Sequence, residues 1–235
     1  PELSRGLGDV YKRQAQQSIK MASIGQRKIG VFLSGGLDSS LVAYELKKVV
    51  GEANTFTNRM VPNYIHPKDG DYNEDADCAK LLAEVNNFIH NEIIITPEII
   101  KEHWNDSIYY MEQPVYSPSL AMYCYTNKIL HDNGIVVTMA GDMGDEILGG
   151  YPKYWKLRKD KLKTWTDIID KWINRIKRPI KVYDKIVLRD EMLKCYPDDL
   201  WNPNDPIGSY MALDCVAQAP EEFLMRNDKY GMAYS

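Results

Sequence analysis

Ser34-Gly35-Gly36-Leu37-Asp38-Ser39-Ser40 follows the apolar run Ile29–Leu33, and its residue types are those of an anion cradle. Glycines carry no Cβ, so backbone amides at Gly35 and Gly36 can approach phosphate oxygens closely. A helix opening at this point adds unpaired N–H groups and the positive end of its dipole. Ser34, Ser39 and Ser40 bring hydroxyl donors. Asp38 is the odd member, because a carboxylate beside phosphates repels them unless a cation lies between, and Mg²⁺ does that with carboxylate and phosphate oxygens. The string is not a Walker A loop, since no Lys follows the glycines.

A second glycine-rich loop carries the other acids. Thr138-Met139-Ala140-Gly141-Asp142-Met143-Gly144-Asp145-Glu146-Ile147-Leu148-Gly149-Gly150-Tyr151 also leaves an apolar run and opens a helix. Asp142, Asp145 and Glu146 crowd into one short stretch, which suits a metal and a reacting carboxyl-phosphate. Alone, the segment reads equally as a helix cap whose acids answer the dipole. In an open parallel sheet, ligands bind beyond the carboxyl ends of the strands near the switch point. Two such loops at two strand ends can therefore face one nucleotide.

The string SGGLDSS resembles the pyrophosphate loop of the N-type ATP pyrophosphatases, which include the asparagine, GMP and NAD synthetases. GDMGDEILGGY narrows the resemblance to the asparagine synthetase family. Weaker likenesses run in order with it: Tyr72-Asn73-Glu74-Asp75-Ala76, Met111-Glu112-Gln113-Pro114, Ser119-Leu120-Ala121-Met122-Tyr123, Phe223–Lys229 and Met232-Ala233-Tyr234-Ser235.

The resemblance implies a cytoplasmic carbon–nitrogen ligase using ATP and Mg²⁺. It would adenylate the β-carboxylate of aspartate, or a similar carboxylate, and pass the acyl group to ammonia drawn from glutamine. By the same likeness Asp38 and Asp145 hold Mg²⁺, while Leu33, Ser34, Gly35, Gly36, Ser39 and Ser40 cradle ATP. Ala140 and Gly141 lie by the nucleotide. Asp142 and Asp145 are the catalytic acids, Asp142 standing where relatives commonly have Glu. Ser119, Glu146 and Tyr151 fall on the substrate side. Amide-forming relatives of the β-lactam, lasso-peptide and sugar amidotransferase types share both loops and leave the acceptor open. A nucleotide-binding fragment without turnover stands as the reading from another class. A tRNA-thiolating pyrophosphatase fits less well, since the chain has no CxxC.

These loops need a scaffold, and the remaining pattern supplies one. Helices are expected over 15–24, 39–49, 74–86 and 118–132, with a further start at Thr96-Pro97-Glu98. The second helix carries Leu41, Val42, Tyr44, Leu46 and Val49, and the third places Ala76, Ala79, Leu82, Ala83 and Val85 inward. Strands are expected over Ile29–Leu33, Asn54–Met60, Glu92–Thr96 and Ile135–Ala140, with a loop over 61–73. This alternation predicts an α/β fold, a doubly wound, Rossmann-like parallel sheet. After Tyr151 the pattern turns helical, and Trp165, Ile168, Ile169, Trp172, Ile173 and Ile176 form one amphipathic stripe. Residues 155–235 are thus the mainly helical part of a synthetase domain covering 15–235.

The chain of 235 residues is 26% charged with a net charge of −4, which argues against a nucleic-acid binder. Residues 153–189 hold thirteen Lys and Arg against four Asp, but the apolar stripe makes this a solvated outer face. No apolar run reaches membrane-spanning length. Four dispersed cysteines read as reduced thiols, and four histidines without zinc spacing offer no such centre. Residues 1–14 fit no element pattern and resemble translated adapter sequence. Family members usually begin with a glutaminase domain and continue past MAYS into a Lys-bearing segment. Both are expected to lie outside this chain, and a homodimer is left open.

Overall fold

The computed structural model describes residues 2–61, 65–66, 70–71, 73–113, 117–175, 182–196 and 198–235. The chain divides into two compact units, Pro1–Asp142 with Arg226–Ser235, and Met143–Met225. In chain order the first unit contains α1 (Glu2–Ala22), β1 (Ile29–Phe32), α2 (Leu37–Val50), β2 (Asn54–Met60), β3 (Ile65–His66), β4 (Gly70–Asp71) and α3 (Glu74–Asn86). It continues with β5 (Ile89–Ile95), α4 (Pro97–Glu102), α5 (Trp104–Met111), α6 (Pro118–Asp132) and β6 (Val137–Met139). The second unit holds α7 (Gly144–Leu148), α8 (Pro152–Lys156), α9 (Trp165–Asn174), α10 (Val182–Cys195), α11 (Pro206–Leu213) and a π-helical segment, Asp214–Leu224. The closing helix α12 (Met225–Ala233) belongs to the first unit from Arg226 onward.

Four parallel strands run in the order β5-β2-β1-β6, with Val31 opposite both Thr55 and Met139. The fold is α/β, as expected. The order reverses between β1 and β6, and that reversal is the switch point. Alternate residues of β1 serve the two faces. Val31 and Leu33 pack with Ala43, Leu46, Ala79 and Ala83 of α2 and α3. On the other face Phe56, Ile93 and Ile95 pack with Leu130 and Ile135, beside Phe32. Gly30 lets this face pack closely, because a Cβ would lie 2.7 Å from Ile135 Cγ2 and force a shift.

Several expectations shift. The stretch 1–14 is helical from Glu2 rather than outside any element, and α1 ends at Ala22 instead of residue 24. Gln16 anchors it by donating to Glu45 Oε1 at 3.2 Å, and Ile19 enters the core. Val85 is exposed, not inward, because α3 meets the sheet through Ala76, Ala79 and Ala83. Leu41, Tyr44 and Val49 are likewise exposed, and Ser39, Ala43 and Leu46 face in. Small residues let both helices lie close to the strands. The loop expected over 61–73 contains the antiparallel pair β3 and β4, and its other residues up to Tyr72 are mostly outside the described ones. Pro114 and Ile176 also lie outside them.

The second unit buries the expected stripe. Trp165, Ile168, Ile169 and Ile173 pack with Tyr154, Leu157, Met192, Tyr210 and Leu213. A capping box starts α9, with Thr164 accepting from Asp167 N at 3.1 Å and Asp167 Oδ2 accepting from Thr164 N at 2.8 Å. The Lys163 N–H, which donates to the same Asp167 Oδ2 at 2.9 Å, is the largest cause holding the Asp167 carboxyl below its ordinary range, with Thr164 adding to it and burial opposing. At the centre sits Asp214, fully buried. It accepts from Tyr154 Oη (2.9 Å), Trp172 Nε1 (2.8 Å) and Arg175 (2.7 Å), and pairs with Lys153 at 2.7 Å. No helix among the described residues is long and apolar enough to cross a membrane.

Candidate nucleotide site

β1 delivers the first loop. Leu33 is buried, its N–H donates to Phe56 O at 2.9 Å, and its carbonyl accepts from the Thr57 hydroxyl. The chain then turns at Gly35 with φ +77°, a left-handed conformation that favours glycine. Space demands glycine there as well, since a Cβ would lie 2.6 Å from Asp75 O and 2.8 Å from Cys78 Cβ of α3. Gly36 caps α2 with extended backbone and no side-chain cap bond. The N–H groups of the first helical turn have no acceptor within the helix.

The serines shape the loop from inside. Ser39 is buried, its hydroxyl lies 2.9 Å from that of Ser34, and it accepts from Ser34 N at 3.1 Å. Ser39 and Ser40 hydroxyls donate back to Gly36 O at 3.2 Å and 2.6 Å. The hydroxyl bonds thus run within the loop. Asp38 stands in the first turn of α2.

β6 delivers the second loop beside the first. Ala140 is half-buried. A Cβ on Gly141 would lie 2.5 Å from Ser39 N, 2.8 Å from the Asp38 carbonyl carbon and 2.9 Å from Asp38 Cβ. Gly141 is therefore seated directly on the start of α2. Asp142 is exposed, and its Oδ2 accepts from Asn227 Nδ2 at 2.6 Å. Nearby, the Tyr123 ring meets Phe32 edge-on at 6.5 Å, and the Arg226 guanidinium lies 4.8 Å from that ring. Burial raises the Tyr123 hydroxyl pKa, with Arg226 opposing and Asp142 adding to the rise. Ser119 lies in the first turn of α6, its hydroxyl 2.7 Å from that of the capping Ser117.

In the second unit, Met143 takes a left-handed φ of 72° and caps α7. A Cβ on Gly150 would meet the Asp145 carboxylate, and Gly149 takes a left-handed φ of 74°. Glu146 is buried with Oε1 lacking a hydrogen-bond partner. Its charge contributes to raising the Tyr154 hydroxyl and the Cys215 thiol, for both of which burial is the largest cause. Tyr151 is half-buried against Tyr154, with the Lys153 ammonium 4.7 Å from its ring centre.

The structure thus brings together Leu33, Ser34, Gly35, Gly36, Asp38, Ser39, Ser40, Ala140, Gly141 and Asp142 at the carboxyl ends of β1 and β6. Asp145, Glu146 and Tyr151 share the first turns of the second unit. Sequence reasoning missed Asn227, Arg226 and Tyr123 as neighbours of Asp142. Their segments stood out only as resembling a family, without residue roles.

Among the described residues, no group of three or more His, Cys, Asp or Glu side chains is placed to hold a metal ion. Mg²⁺ is commonly held by one or two carboxylates together with phosphate oxygens and water. A hard carboxylate in the first turn of a phosphate-type cradle, as at Asp38, fits that mode of binding.

The architecture is that of a doubly wound parallel α/β protein with glycine-rich loops at its switch point. The profile of the asparagine synthase family matches residues 11–235, and the chain belongs to that family. It is similar to asparagine synthetase [glutamine-hydrolyzing] 2 of rice, Oryza sativa subsp. japonica, at 30% identity over 138 residues, 56% of this chain and 23% of the relative. Asparagine synthetase [glutamine-hydrolyzing] of Rattus norvegicus is 31% identical over 151 residues, 59% of this chain and 25% of the relative. The Mus musculus protein of that name is 29% identical over 142 residues, again 59% and 25%. The chain spans about a quarter of the length of these curated relatives.

Proposed function

We propose that this chain carries the ATP-using half-site of an amide-forming ligase. A carboxylate oxygen of the acceptor attacks the α-phosphorus of ATP, the α–β phosphoanhydride bond breaks, and pyrophosphate leaves. With aspartate as acceptor the product is β-aspartyl-AMP. Ammonia then attacks the acyl carbon, AMP leaves with the electron pair of the acyl–oxygen bond, and the nitrogen loses a proton to give asparagine. Aspartate and glutamine-derived ammonia are assigned from the relatives named glutamine-hydrolysing asparagine synthetases.

The observation that carries this reading is the seating of Gly141 on Ser39 N and Asp38. It supports reading the two loops leaving β1 and β6 as walls of a single cradle. Gly35 and the first turn of α2 would offer N–H groups to the phosphates, while Ser34, whose hydroxyl accepts from Gly36 N at 3.3 Å, and Ser39 fix the loop. Asp38 would hold Mg²⁺, and Asp145 is assigned to the same ion on sequence likeness. When bound, the ion neutralises charge on the phosphates. Asp142 is assigned to the acceptor end of the cradle, and Ser119, Glu146 and Tyr151 to acceptor recognition.

The test is titration calorimetry with ATP and MgCl₂, followed by ATP–pyrophosphate exchange with aspartate and other carboxylates. Saturable Mg²⁺-dependent ATP binding, lost in Asp38→Ala, and aspartate-dependent exchange are expected. An Asp38→Ala chain that binds Mg–ATP like the wild type would refute the metal assignment. A wild-type chain that does not bind ATP would refute the function.

A further inference from the structure

We propose that Asn227 is a positioning residue of the nucleotide site, acting through Asp142 on the seat of Gly141. The inference rests on the reading of the site given above. The chain leaves the first unit after Asp142 and returns to it at Arg226. The bond from Asn227 Nδ2 to Asp142 Oδ2, at 2.6 Å, ties that exit to that return. Asp142 directly follows Gly141, which packs so closely on the start of α2 that an added Cβ would lie 2.5 Å from Ser39 N. Fixing the carboxylate of residue 142 therefore fixes the glycine that closes the cradle against Ser39 N.

The rest of α12 shows why Asn227 is well placed to hold something else. Tyr230 is fully buried and its hydroxyl donates to Ser107 O at 2.9 Å. Lys229 pairs with Glu112 at the end of α5. The Tyr234 hydroxyl lies 3.4 Å from Cys124 Sγ, and its ring meets Tyr110 at 5.6 Å. Arg226 lies over Tyr123, which in turn touches Phe32 at the end of β1. The helix is thus anchored to α5 and α6 at several points. Asn227 presents an amide donor from this fixed frame to a carboxylate on a loop. A charge-assisted bond of this kind is among the stronger hydrogen bonds, so it can hold an exposed loop residue in place.

The experiment uses the whole chain, Mg–ATP calorimetry and thermal unfolding. Asn227→Asp keeps the shape but sets two carboxylates against each other, and Mg–ATP affinity should fall about tenfold, the order of one charged hydrogen bond. The reversed pair, Asn227→Asp with Asp142→Asn, restores donor to acceptor and should recover affinity to within about threefold of Asp142→Asn alone. A role confined to packing at residue 227 would not respond to the change at residue 142. Where Asn227→Asp lowers the melting temperature enough to obscure binding, Asn227→Ser replaces it in the same cycle with Asp142→Ala, and non-additive losses are expected. Wild-type affinity in Asn227→Asp, or no recovery in the reversed pair, would overturn the role of Asn227 alone. A wild-type chain that does not bind Mg–ATP would overturn the function and this role together.

Discussion

Gly141→Ala tests the cradle most directly. The added Cβ would stand 2.5 Å from Ser39 N, 2.8 Å from the Asp38 carbonyl carbon and 2.9 Å from Asp38 Cβ. Non-bonded heavy atoms settle near about 3.5–4.0 Å, so the loop and the start of α2 must part by roughly 1 Å. None of the three atoms is the end of a flexible side chain, so the backbone itself has to move. Forcing extra volume into a packed contact costs about 1–3 kcal/mol. A shift of about 1 Å in a binding group can cost up to about a hundredfold. Mg–ATP affinity should therefore fall by between about tenfold and a hundredfold, equivalent to ~1.4–2.7 kcal/mol. Calorimetry and urea unfolding measure the two effects separately. Gly25→Ala is the control, because nothing lies within 4 Å of a Cβ there. If Gly141→Ala and Gly25→Ala match in both affinity and urea midpoint, the two loops do not form one cradle.

Asp214→Ala removes a buried carboxylate shared by Lys153, Arg175, Trp172 and Tyr154, and the two cations left behind should cost about 3–5 kcal/mol, read as a lowered urea midpoint by Trp fluorescence. Asp214→Asn keeps an oxygen acceptor for Trp172 but also removes the charge, so it should lose nearly as much, and a loss far smaller than that of Asp214→Ala would argue against the charge. Gly231→Ala lies in α12 with nothing within 4 Å of the new Cβ, so it should stabilise by about 0.5–1 kcal/mol and raise the melting temperature by roughly 1–4 °C; a fall would refute the helical assignment there. His90 has its pKa lowered below the usual 6.5, chiefly by burial, with Lys80 and Arg59 adding to the fall and Glu92 opposing it. Between 6.5 and that lowered value the unfolded chain takes up a proton that the folded chain refuses, so stability should fall as pH drops through that window. Replacing His90 with Gln should flatten this part of the melting temperature against pH, and an unchanged slope would show that other groups set it.

Some of this architecture is written locally in the chain. Asn54–Met60, Glu74–Asn86 and Pro118–Asp132 begin and end where the residue pattern places them. Thr96 caps α4 by accepting from Ile99 N at 3.3 Å, as the Thr-Pro-Glu string implies. Strand ends were less legible, because a strand is as long as its neighbour allows. β5 begins at Ile89, before the expected Glu92, since β2 offers seven partners from Asn54 to Met60. β6 shrinks to Val137–Met139 because it pairs only with Ile29–Val31 of β1. Helix faces misled for a different reason. Apolar residues mark an inward face only one way, and Leu41, Tyr44 and Val85 stay outside while alanines and a serine pack inward.

The site divides along the same line. Gly35 and Gly141 were legible because glycine at a strand end implies close backbone approach, and Gly35 also has the positive φ that glycine supplies. Asn227 was not, because its partner Asp142 lies 85 residues away in sequence and nothing in either segment specifies the other. Short-range chemistry declares a cradle, whereas the contact that steadies it depends on where the closing helix lands. That landing is decided by Tyr230, Lys229 and Tyr234 gripping α5 and α6. Packing of the closing helix on α5 and α6 thus sets the donor that meets the Asp142 carboxylate.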